Sequence, residues 1–366
     1  MTMEGVTSCA ACGRTATVTD LWCERCGEAL DTRPMEGMTW LSSAVGTGSC
    51  PVCGAPEPVE ETACGQCGSR WGRVRDHATL DLGVVAGTTD VGLRRERNED
   101  AITVGRYDAG TMAVVCDGVG SVPGSDQAAL RAAEVGIRAL FEGITKGGQP
   151  ATVTEDAITA AARTVRELAD GSEPGNAPSC TYVSALVTGE AVTIGWIGDS
   201  RAYWVPDPVP VVPVPVISES SVSEPSASES VMSRPEPAGA ALLTVDDTLA
   251  GRFGATGIRI PGEVDIDPRA HALLQWLGAD AGMLEPHVVE FTPPRPGLLV
   301  VCSDGLSRYL DGPDTLAEAI QRAVPGVPRH RPAEVAGALT RLALEAGGVD
   351  NITVAVLPVP SVRAVV

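Results

Sequence analysis

Four aspartates stand where apolar runs stop or start. Asp117 follows Met112-Ala-Val-Val-Cys116 and precedes Gly118-Val-Gly120, while Asp304 follows Leu298-Leu-Val-Val-Cys-Ser303. Asp199 ends the run Thr193-Ile-Gly-Trp-Ile-Gly198, and Asp350-Asn351 opens another from Ile352 to Leu357. A short apolar run bounded by glycine reads as a buried strand ending in a tight turn, so each acid is delivered at a strand's mouth. Acids gathered at one place repel each other and lose hydration, which disfavours their ionised forms. A shared cation removes that penalty. Magnesium and manganese take carboxylate, carbonyl and water oxygens, so the pattern points to hard divalent ions.

Sulfur gives the second chemical signal. Cys9-Ala-Ala-Cys12 and Cys23-Glu-Arg-Cys26 are separated by ten residues, and Cys50-Pro-Val-Cys53 and Cys64-Gly-Gln-Cys67 repeat that spacing 41 residues on. Gly13, Gly27, Gly54 and Gly68 each follow the second cysteine of a pair, where a knuckle turn commonly needs positive φ. Each quartet therefore reads as one structural Zn2+ site: Cys9, Cys12, Cys23 and Cys26 for the first, Cys50, Cys53, Cys64 and Cys67 for the second. Zinc binding is worth on the order of 10–16 kcal/mol per site, which a segment with so little core needs in order to fold. Four thiolates leave the metal no open position, so no catalysis is expected there. The arrangement resembles a double zinc ribbon over residues 1–76. That stretch holds ten acidic against six basic side chains, which favours a protein partner or a regulatory role over nucleic acid. Trp22, Trp40 and Trp71 either anchor such a partner or fill the ribbons' small cores.

The bulk composition narrows the remaining classes. A formal net charge of −20 over 366 residues excludes long-range attraction to nucleic acid or to an anionic membrane. No apolar run approaches the roughly 20 residues of a membrane span, and Met1 to Thr7 lacks the basic and apolar regions of a signal peptide. A cytoplasmic protein is expected, in a compartment that keeps its eleven cysteines reduced.

The acids must be held by a scaffold, and periodicity supplies its outline. Ala101 to Val104, Thr181 to Thr188 and Ala191 to Ile197 read as strands, the last two joined at Gly189-Glu190 as an antiparallel hairpin. Leu130, Ala133, Ile137, Leu140, Phe141 and Ile144 share one helical face, as do Ile158, Ala161, Val165 and Leu168. Further helices are expected over Pro313 to Val324 and Pro332 to Ala346. Val-Pro repeats and a Ser/Glu/Pro tract between Pro206 and Pro237 carry no aromatic residue, which predicts a disordered insertion over 206–239.

In chain order, Arg95-Glu-Arg-Asn-Glu99-Asp100, Cys116-Asp117-Gly118-Val-Gly120, Ser179-Cys-Thr181, Gly198-Asp199-Ser200-Arg201, Ser303-Asp304-Gly305-Leu306 and Asp350-Asn351 resemble the motifs of metal-dependent protein phosphatases of the protein phosphatase 2C type. The resemblance covers residues 78–205 and 240–358. It implies an α+β fold, a four-layer αββα sandwich of two antiparallel sheets flanked by helices, here preceded by two small zinc-ribbon modules. The phosphatase domain then has a first part at 78–205 and a second at 240–360. Asp117 is implied to bridge two Mn2+ or Mg2+ ions, Asp304 and Asp350 completing one and Glu99 and the Gly118 carbonyl the other. Asp199 matches a position that, with Asp304, holds a weaker third ion in bacterial relatives, and Asp100 and Asn351 stand behind the ligands. The implied reaction is hydrolysis of phosphoserine and phosphothreonine in phosphorylated protein substrates, by attack of a hydroxide shared between the ions. Arg95 is implied to hold the phosphoryl oxygens with its planar fork, with Arg94 and Arg97 near enough to compete.

Departures from the family pattern are Ser121 in place of a glycine and Val119 where eukaryotic members carry a histidine acid. The segment from Thr248 to Asp280, at the place of the family's flap, fits poorly. Two other functions compete. Cys302-Ser-Asp-Gly305-Leu-Ser-Arg308 has the C-x2-G-x2-R spacing of a cysteine-dependent phosphatase, although Asp304 would sit inside its phosphate loop and only Arg308 is at hand to lower the thiol's pKa. The third possibility is a zinc-ribbon adaptor whose second domain binds phosphoproteins without catalysis.

Overall fold

The computed structural model describes residues 6–8, 15–17, 37–43, 76–120, 122–169, 176–189, 191–207, 239–255, 268–326 and 331–360. The eight quartet cysteines and residues 208–238 of the expected insertion lie outside them. The first half of the chain forms β1 (Val6–Ser8), β2 (Thr15–Thr17), β3 (Met38–Ser42), β4 (His77–Asp81), β5 (Ala86–Asp90), β6 (Ala101–Tyr107) and β7 (Gly110–Cys116). Then come α1 (Ser125–Thr145), α2 (Pro150–Glu167), β8 (Ser179–Cys180), β9 (Tyr182–Thr188), β10 (Ala191–Ile197) and β11 (Arg201–Pro206). The second half contributes β12 (Ala241–Leu242), α3 (Leu249–Ala255), β13 (Leu277–Gly278), β14 (His287–Phe291) and β15 (Gly297–Cys302). It closes with α4 (Asp304–Ser307), α5 (Pro313–Ala323), α6 (Pro332–Glu345) and β16 (Ile352–Val359).

Two six-stranded antiparallel sheets carry the fold, in the orders β14-β10-β9-β7-β6-β3 and β12-β11-β15-β16-β5-β4. Side chains of a strand alternate between faces, and here both faces are buried, which is why these strands read as unbroken apolar runs. Along β7, Met112, Val114 and Cys116 turn outward to α1 and α2, while Ala113 and Val115 turn inward to the second sheet. Along β15, Leu298, Val300 and Cys302 meet α5 and α6, while Leu299 and Val301 face inward. The resulting order of layers is helices, sheet, sheet, helices. Proline at the first turn of α2, α5 and α6 starts each helix where its missing N–H costs no hydrogen bond.

One strand departs from the expected division of the chain. Residues 38–42 lie between the two cysteine quartets, and spacing alone groups them with the zinc segment. Instead β3 pairs along β6, from Met38 opposite Tyr107 to Ser42 opposite Thr103, and forms an edge of the first sheet. Its own side chains explain the docking. Met38 is buried, Trp40 packs on the α1 side beneath the Arg138 guanidinium at 5.6 Å, and Ser42 Oγ donates to Glu134 Oε1 at 2.8 Å. Trp40 thus packs, half-buried, against the core of this sheet.

Candidate metal centre

The site lies where one end of both sheets opens. From the first sheet, β7 runs into Asp117 and β10 into Gly198-Asp199; from the second, β15 leads to Asp304 and Asp350 precedes β16. Together with Glu99 and Arg95 from the loop before β6, these side chains line a cleft of about 420 Å³. Gly118, Thr181, His271, Leu273, Arg308 and Asn351 complete its walls. The acids from distant parts of the chain therefore meet in one place.

Backbone hydrogen bonds hold the turns that present them. Asp117 N donates to Thr181 Oγ1 at 3.0 Å, and Thr181 N donates to the Asp117 carbonyl at 2.8 Å. Gly118 N reaches the Glu99 carbonyl at 3.2 Å, and a Cβ on Gly118 would lie 2.9 Å from Glu99 Cβ and its carbonyl oxygen. Only glycine lets the Asp117 turn and the Glu99 loop approach so closely. Asn351 pins that loop from the other side. Its Oδ1 accepts from Glu99 N at 2.8 Å, and its Nδ2 donates to the carbonyls of Val91 at 2.9 Å and Arg97 at 3.0 Å.

Two acids that the sequence did not flag hold the residues on either side of Asp199. Asp247 Oδ2 accepts from Gly198 N at 3.0 Å, while its Oδ1 lies 2.9 Å from His287 Nε2 and accepts from Gln275 Nε2 at 3.1 Å. Asp246 is clamped in two-point fashion by Arg201, at 2.9 and 2.7 Å. Behind the cleft, Asp100 is fully enclosed. Ser303 Oγ donates to its Oδ2 at 2.7 Å, whereas its Oδ1 has no hydrogen-bond partner.

Electrostatics follow from this crowding. Asp117 touches solvent only along the cleft wall it lines, and dense surroundings followed by the charges of Asp100, Asp304, Asp199 and Asp350 push its carboxyl well above the usual range. Burial raises Asp100 and Asp199 to about 7. Asp304 and Glu99 are also raised, again by burial first. Such a cluster calls for positive charge.

Part of it comes from arginine. Arg95 Nη2 lies 2.8 Å from Asp350 Oδ2, and Arg308 Nη2 lies 2.8 Å from Asp304 Oδ2 and 3.5 Å from the same Asp350 oxygen. Arg97 leans instead to Asp126 at 3.8 Å, and Arg94 is not part of the cleft. Among the described residues, no three acidic, histidine or cysteine side chains close around one point as they stand. The donor set nonetheless fits hard divalent ions. It is all oxygen, comprising Glu99, Asp117, Asp199, Asp304, Asp350 and the Gly118 carbonyl, and its carboxylates strain against their own charge. A cation held by Asp304 and Asp350 would have to displace the guanidinium groups of Arg95 and Arg308 from them.

The competing cysteine reading fails on burial. Cys302 has no exposed surface, and burial pushes its thiol up to about 12. A thiol so raised is not a nucleophile near neutrality. Arg308, the cation that reading needs, is turned to carboxylates. His271 and Leu273 were not anticipated as cleft residues, because they fall in the stretch from Thr248 that fits the family pattern poorly.

Residues 93–256 match the family model described as Protein phosphatase 2C, and residues 9–68 match that described as Double zinc ribbon. The serine/threonine protein phosphatase PstP of Mycobacterium tuberculosis is 24% identical over 274 residues, which is 75% of this chain. The chain spans 44% of that relative's length. The crystal structure of the Mycobacterium tuberculosis serine/threonine phosphatase PstP/Ppp matches with a TM-score of 0.54 at 24% identity, covering 78% of this chain and 100% of that one. A bacterial serine phosphatase matches at 0.56 and 20% identity, covering 76% and 99%. The catalytic domain of PstP in complex with two manganese ions matches at 0.52 and 24% identity, covering 77% and 99%. These structures share the two-sheet fold with the chain described above. The chain thus carries a domain of the protein phosphatase 2C type, with a double zinc ribbon ahead of it.

Proposed function

We propose that the chain is a metal-dependent serine/threonine protein phosphatase that hydrolyses phosphoserine and phosphothreonine. One observation carries the reading: Glu99, Asp117, Asp199, Asp304 and Asp350 line a single cleft together with Arg95. Asp117, Asp304 and Asp350 would hold one Mn2+ or Mg2+, and Asp117, Glu99 and the Gly118 carbonyl another. Asp199 and Asp304 would serve a third. Such ions, when bound, offset the repulsion between a phosphate dianion and an anionic nucleophile and make water acidic.

The chain's own groups do the rest. Arg95 offers a planar pair of donors to the phosphoryl oxygens, holding the ester in line with the cleft floor. Asp100, with one oxygen on Ser303 and the other unpartnered, stands behind the ligands as a reserve acceptor for a proton or a donor from the ligand shell. Val119 has no side chain able to give a proton to the leaving alkoxide, so the donor is another group of the cleft, water or the substrate. Ahead of this domain, the two cysteine quartets would each fix a Zn2+ and present a surface to a protein partner or control access to the cleft. An adaptor without catalysis has no use for so costly a cluster of acids, which disfavours that alternative.

The deciding assay follows hydrolysis of a phosphothreonine peptide in Mn2+, in EDTA, and with Asp117→Asn or Cys302→Ser. Activity that needs the metal, falls by on the order of 10³-fold in Asp117→Asn and survives in Cys302→Ser is expected. Hydrolysis that persists in EDTA, or none in any condition, overturns the assignment.

A further inference from the structure

Arg308 belongs to none of the motifs that carry the phosphatase reading, and its one sequence-level role, as the cation of a cysteine loop, is removed by the burial of Cys302. Yet it lines the cleft. Its backbone is held from both sides. Arg308 N donates to the Asp304 carbonyl at 2.9 Å, and the neighbouring Tyr309 Oη accepts from Val349 N at 3.1 Å, tying this turn to the segment that leads into Asp350. The side chain itself is about half exposed, at 47%, so its guanidinium can turn without disturbing the core.

Two guanidinium groups converge on one oxygen here. Arg95 and Arg308 approach Asp350 Oδ2 at 2.8 and 3.5 Å, so they flank the same point of the cleft floor. Five lining carboxylates and a hydroxide nucleophile set against two divalent ions would leave two negative charges, of which Arg95 cancels one. Arg308 is the charge that removes the last net negative charge a phosphate dianion would meet. The two acids it now grips, Asp304 and Asp350, are also the pair assigned to one ion. A guanidinium and a divalent cation within a few ångströms repel each other, so metal and Arg308 compete for these oxygens.

We propose that Arg308 is a second substrate-positioning cation, which yields Asp304 and Asp350 to metal and turns to the phosphoryl oxygens of the substrate beside Arg95. Its substrate rests on the phosphatase reading, but its competition with metal does not. One side chain thereby opposes metal binding and favours phosphate binding. A surface ion pair that merely trims the end of α4 would do neither.

The test measures two affinities and one rate on the full chain, for wild type, Arg308→Gln and Arg308→Lys. Calorimetric titration with Mn2+ should show Arg308→Gln binding several-fold more tightly. The KM for a phosphothreonine peptide should rise about 10- to 100-fold with kcat within a few-fold, the scale of losing a charge-assisted hydrogen bond. Competition by inorganic phosphate should weaken in parallel with the rise in KM. Arg308→Lys, which keeps the charge but not the fork, should restore wild-type metal affinity and recover only part of the KM. Thermal melting of each variant checks that it is folded. Affinities for Mn2+ and phosphate that both weaken, or neither of which moves, would overturn the proposal. If wild type binds Mn2+ and phosphate but leaves the peptide intact, the phosphatase reading fails, while opposed shifts in the two affinities still support the role of Arg308.

Discussion

The layer between the two sheets and the cleft at its end are built from the same strands under opposite rules. Inside the layer, Val115 of β7, Val301 of β15 and Ala355 of β16 have no exposed surface and gain from every contact. A residue or two beyond the same strands stand Asp117, Asp304 and Asp350, which gain nothing from one another. Each is held there by the strand that precedes or follows it. The packed layer is what keeps like charges together, and the cleft is where that rigidity leaves an excess of negative charge. A loose scaffold would let the acids drift apart to lower their repulsion.

The largest stability effect should come from the layer and leave the cleft intact. Trp204 is fully buried against Phe291, with ring centroids 5.9 Å apart, and Trp204→Ala should cost about 3–5 kcal/mol. Its urea midpoint should drop accordingly, while the folded fraction keeps its Mn2+ affinity. A loss of affinity larger than the loss of folded protein would show that layer and cleft are not separable in this way.

The next effect belongs to the cleft alone. Asp100 and Asp199 are raised to about 7 in the folded protein, so each binds a proton more tightly folded than unfolded. In chelator, that contribution to stability is whole below about pH 4, the unfolded value, and is lost as pH rises through about 7. Asp199 alone accounts for on the order of 4 kcal/mol. Urea midpoints in EDTA should therefore fall across this window, and saturating Mn2+ should flatten the fall. Midpoints that instead rise with pH in EDTA would contradict a cleft ruled by its own negative charge.

A smaller effect should appear where the two regions touch. Ser303 Oγ donates to Asp100 Oδ2 at 2.7 Å and accepts from Thr353 N of β16 at 3.1 Å. Ser303→Ala should weaken Mn2+ about 10-fold, as loss of a group supporting a ligand shell commonly does, and cost about 1 kcal/mol of stability. Equal affinity in calorimetry would place Asp100 outside the metal's reach.

Much of this was legible in the residues. Apolar runs ending in Asp117, Asp199 and Asp304 announced both strands and acids, because burial on two faces leaves room for few polar side chains, such as Thr111 and Thr193, before the strand stops. The hairpin at Gly189-Glu190 and the helices starting at Pro313 and Pro332 were likewise local matters of turn and cap chemistry. Other features left no such trace. Strand β3 is five residues between two cysteine quartets, and only the edge of β6 together with α1 gives Met38 and Trp40 somewhere to pack. His271, Asp247 and Arg308 carry no periodic signal, since each acts through partners far away in sequence.

By itself the sequence determined the apolar strands that lead to the acids, the four longer helices, and where the acids sit on those strands, all of which depend on neighbours a few residues apart. Tertiary structure decided which face of each strand meets helices and which meets the other sheet. It also decided that Arg95 and Arg308 share Asp350, and that Cys302 is sealed away from chemistry. Those outcomes depend on contacts between residues far apart in the chain, 255 positions for Arg95 and Asp350, and such contacts exist only once distant strands have paired, here β16 with β5, and helices have packed over them.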